Sequence, residues 1–380
     1  MIISQSKWKH LKEVTAEVVV VGSGAAGISL ALELDSLGRS VVLLEAGEEE
    51  YTEDSQELYS GDSVGTPLPY GLVGSRLRFF GGSTNCWGGG CGELDEIDFI
   101  QRDWVELSGW PILREDLTFW YKKAARFLSL GYPSSEPSGF APNYRAIKGM
   151  DTRCLSSTPI LRFKDDFKDR IERSEKITLL TGANCTNLSF MGVTGSVSGL
   201  VVESYDGFSC KITGSQYILA SGGIENARIL LNSYEQTESA LPRNDNTGRY
   251  FSDHPIAPSA TLLEYHDSVD SLGVASVFDR SQARNLNFPY FTVPYRVQKK
   301  ERILNGAVQF GRVGVEYHPS INAAWRLMNA YKGNSSNFEL DDVKKVVSNP
   351  VRVFQASMNR RFGSGTTRMA MNQKIGRAHV

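Results

Sequence analysis

A glycine-patterned turn between a strand and a helix constrains this chain more than any other feature. Glu17–Val21 reads EVVVV, a short β-branched run of the kind that fills a buried parallel strand. Gly22-Ser23-Gly24-Ala25-Ala26-Gly27 follows at once and fits G-x-G-x-x-G. The next segment, Ile28–Leu37, carries Leu30, Ala31, Leu34 and Leu37 at helical spacing. Ser40–Leu44 is a second buried-strand run closing on Glu45-Ala46-Gly47, so that Glu45 stands 18 residues beyond Gly27. The glycine pattern alone is common. Its position between strand and helix, with an acid ending the next strand, makes it specific for a dinucleotide. Gly22 permits the tight turn, Gly24 lets main chain approach a pyrophosphate, and Gly27 lets the helix pack on the strand. The helix start at Ala25 and Ala26 directs N–H groups at phosphates, and Glu45 accepts hydrogen bonds from ribose hydroxyls. The βαβ connection is expected to be right-handed.

Composition removes several other classes. The 41 basic and 43 acidic residues nearly cancel and form no long like-charge run, so a nucleic-acid or anionic-membrane partner has no electrostatic support. Five scattered cysteines, Cys86, Cys91, Cys154, Cys185 and Cys210, show no metal-ligand spacing and no disulfide framework, so no metal is expected. The opening residues lack an apolar signal core, and no run approaches the ~18 apolar residues of a membrane helix. A cytoplasmic location with no membrane segment is therefore expected. The 380 residues suggest two to three domains, or one large discontinuous one.

Many of the 36 glycines concentrate in two further clusters. Gly81–Gly92 reads GGSTNCWGGGCG. Gly81 and Gly82 can adopt positive φ and lay main chain against a flat ring, with Ser83, Thr84 and Asn85 as polar groups beside it. A surface Gly/Ser loop would have the same composition. Gly222-Gly223 ends a strand at Ser215–Ala220 and opens a helix at Ile224–Asn232. It suits either a second approach of helix amides to a cofactor or close helix–sheet packing. Arg228 within that helix is expected to be an ion-pair member. Between these landmarks, 48–77 reads as an extended excursion, 130–165 as irregular and Pro/Ser-rich, and the stretch from Leu117 as a helix. Ile177–Leu180 is a strand, and Leu200–Ser204 with Ser209–Thr213 form a hairpin. After Pro255 alternating β segments, such as Ala260–Glu264 and Ala307–Tyr317, mark a second domain.

Five stretches in order resemble the glucose–methanol–choline (GMC) oxidoreductases: Val18–Gly47, Phe79–Gly90 (FFGGSTNCWGGG), Arg102–Leu128, Leu219–Ser233 (LASGGIENARILLNS) and Asn246–Pro255 (NTGRYFSDHP). The subtype is similar to bacterial sugar and polyol dehydrogenases. The resemblance implies an α/β (α+β overall) architecture, with a Rossmann-like FAD-binding domain and a discontinuous substrate domain built on an antiparallel sheet. The FAD-binding domain would span 15–255, with excursions at about 48–78 and 130–170, and the substrate domain 256–373. The implied activity is oxidation of a CH–OH group in an alcohol, sugar or polyol by hydride transfer to FAD. Oxygen, a quinone or a cytochrome would then take the electrons. The cofactor residues it implies are Gly22, Gly24, Ala25, Ala26, Gly27, Glu45, Ala46, Gly81, Gly82, Ser83, Asn85, Cys86, Cys185, Gly222 and Gly223. Some relatives attach the flavin through a histidine before the tryptophan of the loop. Cys86 stands there in this chain, so FAD is expected to be noncovalent. Cys185 corresponds to an apolar position near the adenine, and a packed core thiol explains it equally well. His254, in Asp253-His254-Pro255, is expected to be structural. Tyr290, Tyr295, Gln309 and Tyr317 are candidates to line the substrate side, although core packing suits each aromatic as well.

The resemblance expects a histidine base near Gly365-Thr366-Thr367-Arg368-Met369, and Phe362 occupies its position. A phenyl ring accepts no proton, so the catalytic residue is unknown. The chain stops eleven residues after Met369, whereas family members continue through a second His or Asn. It is therefore expected to be a fragment lacking the catalytic end, and inactive by itself. The alternatives are a non-catalytic flavin-binding protein or another flavoprotein reductase, though no second G-x-G-x-x-G unit supports the latter. Ile375–Val380 (IGRAHV) can be written ATC GGA AGA GCA CAC GTC, a common sequencing-adapter read-through, so these six residues are expected to be non-biological. Resequencing the gene should return another sequence after Lys374. The same six residues encoded by different codons would sink the idea.

Overall fold

The computed structural model describes residues 1–11, 14–65, 68, 71–130, 149–160, 162–191, 195–236, 244–253, 287–308, 319–331, 340–351 and 353. In chain order the strands are β1 (Ile2–Ile3), β2 (Thr15–Val21), β3 (Val41–Leu44), β4 (Gly90–Cys91), β5 (Asp151–Ser157), β6 (Ile177–Leu180), β7 (Asn184–Met191), β8 (Ser196–Glu203), β9 (Ser209–Leu219), β10 (Asn287–Thr292) and β11 (Ala307–Val308). The chain divides into two compact units. The first takes its described residues from Met1–Gly88 and Ile160–Ala257, the second from Gly89–Pro159 and Pro258–Lys374.

The first unit is built on a seven-stranded sheet ordered β1-β6-β3-β2-β9-β8-β7. The pairs from β1 to β9 are parallel, and β9-β8 and β8-β7 are antiparallel. This is a mixed α/β arrangement with a mainly parallel sheet. Its centre follows from the apolar runs: Val18–Val21, Val41–Leu44 and nearly all of Ile177–Leu180 are buried, as strands covered on both faces must be. Val18–Val21 lies in register with Val41–Leu44, which lies in register with Ile177–Leu180. The core cluster gathers Val19, Val21, Val42, Leu44, Leu180, Leu200, Val202 and Ile212 around Trp8. The Trp8 indole donates to the Thr181 carbonyl at 2.9 Å, which satisfies its one polar atom inside the core.

Several expectations need correction. The helix after the glycine turn is Ala25–Ser36, and its buried stripe is Gly27, Ile28, Ala31 and Leu32. Leu37 lies past the helix end and is 66% exposed. The runs expected as separate strands at 209–213 and 215–220 are one strand, β9. Its first part pairs with β8 (Ser209–Ile212) and its second with β2 (Thr213–Leu219). Gly214 is no break: a Cβ there would lie 2.8 Å from a Val19 methyl and 3.1 Å from the Ala16 carbonyl, so the glycine permits close strand approach. β7 (NCTNLSFM) lacks a clean alternation and gave no signal; its pairing to β8 makes it a strand. Its edge is covered by the helix Gly223–Gln236, where Ser233 Oγ accepts the Leu188 N–H at 2.9 Å.

The second unit carries a four-stranded antiparallel sheet, β11-β10-β5-β4. β5 falls inside the stretch expected to be irregular. Its order comes from six pairs with β10, from Asp151↔Thr292 to Ser156↔Asn287, a contact more than 130 residues distant that no local pattern announces. Beyond Pro255 the described residues hold helices at Tyr295–Glu301, Pro319–Tyr331 and Leu340–Val347 as well as β10 and β11. The alternating β pattern is therefore only partly right. Residues 260–264 and 309–317 lie outside the described residues. No helix among the described residues is long and apolar enough to cross a membrane.

Leu43 is fully buried at the sheet centre. Leu43→Ala should lower unfolding free energy by about 2–5 kcal/mol, whereas Leu37→Ala should stay within about 0.5 kcal/mol. Urea denaturation of both variants checks the contrast.

Candidate cofactor site

Three glycine segments far apart in sequence meet at the C-terminal ends of β2 and β9. Gly22, at φ +103°, donates its N–H to the Leu44 carbonyl at 2.7 Å. A Cβ on Gly22 would lie 2.7 Å from the Ala220 carbonyl oxygen, and one on Gly27 only 1.8 Å from the Gly22 carbonyl oxygen. Strand, turn and helix are thus pressed together with no room for a methyl. Gly24 differs: a Cβ there meets nothing within 4 Å. The first helical bond runs from the Ile28 N–H to the Gly24 carbonyl at 3.0 Å. It follows that the amides of Ala25, Ala26 and Gly27 have no intrahelical acceptor. Open space at Gly24, beside helix amides without an intrahelical acceptor, fits a diphosphate.

Glu45 closes one side of this space. It is 6% exposed. Its Oε2 accepts the Ser23 N–H at 3.2 Å and the Ser23 hydroxyl at 2.5 Å, and its Oε1 accepts the Gly47 N–H at 2.8 Å. A carboxylate offers roughly four acceptor directions, so these three bonds orient the group and leave capacity for a ligand hydroxyl. The loop Gly81–Cys86 joins from another direction. The Gly81 N–H donates to the Ser23 carbonyl at 3.1 Å, and a Cβ on Gly82 would lie 3.2 Å from Gly24 Cα. Within the loop, Thr84 Oγ1 donates to the Gly81 carbonyl at 2.6 Å and accepts the Phe163 N–H at 3.3 Å. Arg162 fixes the loop's far end through the carbonyls of Thr84 and Trp87.

The polar side chains of this loop are taken up by nearby main chain. Asn85 Nδ2 donates to the carbonyls of Phe80 and Gly82, at 2.9 and 3.0 Å. Ser83 Oγ accepts the Leu77 N–H at 3.4 Å, and the Cys86 thiol donates to the Ser83 carbonyl at 3.1 Å. Burial pushes the Cys86 thiol above its ordinary pKa, outweighing the Arg162 charge. The loop therefore offers main chain rather than side-chain hydrogen bonds. At the third segment, Asn226 Oδ1 accepts the Ser221 N–H at 2.9 Å, and Glu225 in the first helical turn pairs with Arg76 at 2.7 Å. Arg228 pairs with Glu225 at 3.4 Å, as an ion-pair member should. Cβ atoms on Gly222 or Gly223 would meet nothing within 4 Å, so tight packing does not demand glycine there; the φ of +84° at Gly222 does.

Ser23 and Arg78 carried no weight in the sequence, and Thr84 reads there only as a polar group of the loop. Ser23, fully buried, ties the first turn to both Glu45 and the Gly81 loop. Thr84 anchors the loop, and Arg78 holds the segment after Glu45 through the Ala46 carbonyl. A small hydroxyl between two motif glycines was the available signal for Ser23. Cys185 lies on β7 against the core cluster, and burial pushes its thiol up to about 12. Tyr290 lies opposite Arg153 in the β10–β5 ladder, and Tyr295 packs its ring near Trp104 with centroids 6.5 Å apart. His254, Gln309, Tyr317, Phe362 and 365–369 lie outside the described residues.

Residues 17–53 match the FAD binding domain family. This segment covers the β2 turn, its helix, β3 and Glu45, and the dinucleotide is FAD. Pyranose 2-oxidase of Lyophyllum shimeji is 28% identical over 218 residues, which are 48% of this chain and 35% of that protein. Among solved structures, pyridoxine 4-oxidase from Mesorbium loti aligns with a TM-score of 0.39 at 20% identity, over 57% of this chain and 52% of that one. A fungal aryl-alcohol oxidase aligns with a TM-score of 0.40 at 14% identity, over 59% and 48% respectively. The chain spans about a third to a half of the length of these proteins.

The raised Cys185 pKa has a direct chemical consequence, because the thiolate is the nucleophile. Iodoacetamide at pH 8 should leave Cys185 unmodified in the folded chain and label it after unfolding; mass spectrometry of the peptide reads both. The same shift makes the thiol's contribution to stability present below the ordinary cysteine pKa of about 8.5. It is lost as pH rises toward about 12.

Proposed function

We propose that this chain belongs to a GMC-type FAD-dependent oxidoreductase that oxidises a CH–OH group of an alcohol, sugar or polyol. The observation that carries the proposal is the convergence of helix amides without an intrahelical acceptor and an oriented acid, both within the FAD-matching region, with a main-chain glycine loop at 81–86 that lies beyond it. In this proposal Gly22, Gly24, Ala25, Ala26 and Gly27 form the Rossmann-like diphosphate cradle. Glu45 receives the ribose hydroxyls, and Ala46 and Cys185 stand on the adenine side. Gly81 and Gly82 carry main chain to the flavin, with Ser83, Asn85 and Cys86 shaping the loop from within, while Gly222 and Gly223 open the second helix toward the cofactor. FAD supplies the hydride acceptor. It is held noncovalently, since Cys86 spends its S–H inside the loop.

The division into a discontinuous FAD-binding domain at 15–255, with excursions at about 48–78 and 130–170, and a substrate domain at 256–373, with electrons passed on to a separate acceptor in the cytoplasm, belongs to the same proposal, although Gly89–Pro159 groups with the second compact unit. The pyranose 2-oxidase likeness supports a sugar or polyol as substrate. With Phe362 where a histidine base is expected, no residue of this chain is assigned the substrate proton. The product of the complete reading frame, loaded with FAD and mixed anaerobically with alcohols and sugars, tests the activity. Bleaching of the flavin's visible band by one of them is expected. A yellow protein that none of them bleaches would favour a non-catalytic flavin-binding protein.

Gly24→Val tests the cradle. The position is extended and unobstructed, so folding stability should change by less than about 1 kcal/mol. The side chain fills the space before the helix, so FAD affinity should fall at least about tenfold, or ~1.4 kcal/mol. Unchanged affinity in a well-folded variant counts against the assignment.

A further inference from the structure

Arg78 is a buried cation whose partners are neutral. It is 8% exposed, and its guanidinium donates to the Ala46 carbonyl at 3.3 Å, Ser55 Oγ at 3.2 Å, the Tyr205 hydroxyl at 2.9 Å and Asn184 Oδ1. Burying an arginine is costly unless its donors are satisfied, so the surroundings are built around it. Ser55 returns its hydroxyl to the Arg78 carbonyl at 3.1 Å, and Gln56 Oε1 accepts the Arg78 N–H at 3.0 Å. The Tyr205 hydroxyl donates to the same Ala46 carbonyl at 2.6 Å and lies 2.8 Å from Ser55 Oγ.

Main chain and side chain of Arg78 grip one short segment. A Cβ on Gly47 would lie 2.1 Å from the Arg78 carbonyl oxygen, so the backbone of Arg78 lies directly on Gly47. The side chain meanwhile reaches Ala46. The Gly47 N–H is one of the three donors that orient the Glu45 carboxylate. Displacing 46–47 therefore turns the acid. Neighbouring Tyr59 stacks Arg76 at 3.9 Å and Arg78 at 5.6 Å over its ring, which walls the guanidinium from solvent. Burial raises the Tyr59 phenol far above its ordinary pKa, with the Glu45 charge adding to the shift, so the phenol stays neutral beside both charges.

We propose that Arg78 is a positioning residue for the adenosine half of FAD. It holds Glu45-Ala46-Gly47 in the orientation in which Glu45 meets the ribose. The inference rests on the ribose role of Glu45 given above, and a double-mutant cycle keeps the two separable. FAD binding to the 380-residue chain is followed by flavin fluorescence for the unsubstituted protein, Glu45→Gln, Arg78→Met and the double variant. Adenosine diphosphate, which carries the ribose but no flavin, serves as a second ligand.

Each single substitution is expected to weaken both ligands about tenfold or more, and the double variant to be no weaker than the worse single one, as for residues acting through one group. Additive losses, or Arg78→Met binding as the unsubstituted chain does, overturn the positioning role while leaving Glu45 on the ribose. A loss on FAD without one on adenosine diphosphate also overturns it. Glu45→Gln without effect, or no binding by the unsubstituted chain, overturns the ribose assignment and the inference with it. Should Arg78→Met fail to fold, Arg78→Lys and Tyr205→Phe replace it. Lysine keeps the charge but cannot span the same acceptors, and loss of the Tyr205 hydroxyl removes one hold on Ala46; both should show the same non-additivity with Glu45→Gln.

Discussion

The contact between Gly27 and the Gly22 carbonyl sets the geometry on which the remainder of the first unit depends. With 1.8 Å available for a Cβ, the helix can sit against the turn only if Gly27 has no side chain. That approach brings the helix start to the C-terminal end of the central strand β2, next to the open position at Gly24. Helix dipole and unpaired N–H groups then act in the same direction. The parallel pairing of β2 with β3 and β9 fixes which other segments arrive there. Glu45 comes from the end of β3 and Gly222 from just beyond β9.

Charge is handled differently at the two ends of this site. Near the helix start the structure supplies uncharged main-chain donors. The charged groups stand around Glu45 and along the excursion from Glu48 to Arg78. Glu49 and Glu50 pair with Lys168 and Lys164 on the helix Phe163–Arg173, and Arg76 pairs with Glu225. Arg76–Glu225 is largely shielded whereas Glu50 is exposed, and pairs across this range add little net stability. Their common effect is to fasten the 48–80 excursion to the cofactor unit. Burial holds the Glu48 carboxyl above the usual carboxylate range, against a bond from Thr181.

What the sequence made legible was local. The strand–turn–helix–strand order around Gly22 and Glu45 follows from short-range apolar periodicity and glycine spacing, and those elements appear within two or three residues of their expected bounds. β5, β7 and the continuity of β9 were not legible, because pairing with distant strands decides them. In the turn and loop, the glycines were visible in the sequence and the side-chain hydrogen bonds around them were not. Asn85 and Ser83 read as polar groups offered to a cofactor, yet Asn85 donates to the carbonyls of Phe80 and Gly82 and Ser83 Oγ accepts the Leu77 N–H. Arg78 and Ser23 matter through contacts with residues 22 to 127 positions away, which composition cannot encode.

The central claim is that the turn at Gly22–Gly27 and Glu45 bind the adenosine diphosphate half of FAD. Competition measures it most directly. The 380-residue chain is titrated with FAD, then challenged separately with adenosine diphosphate and with flavin mononucleotide. One FAD per chain is expected, displaced by adenosine diphosphate far more readily than by flavin mononucleotide. Saturable FAD binding that flavin mononucleotide displaces and adenosine diphosphate does not would contradict the claim.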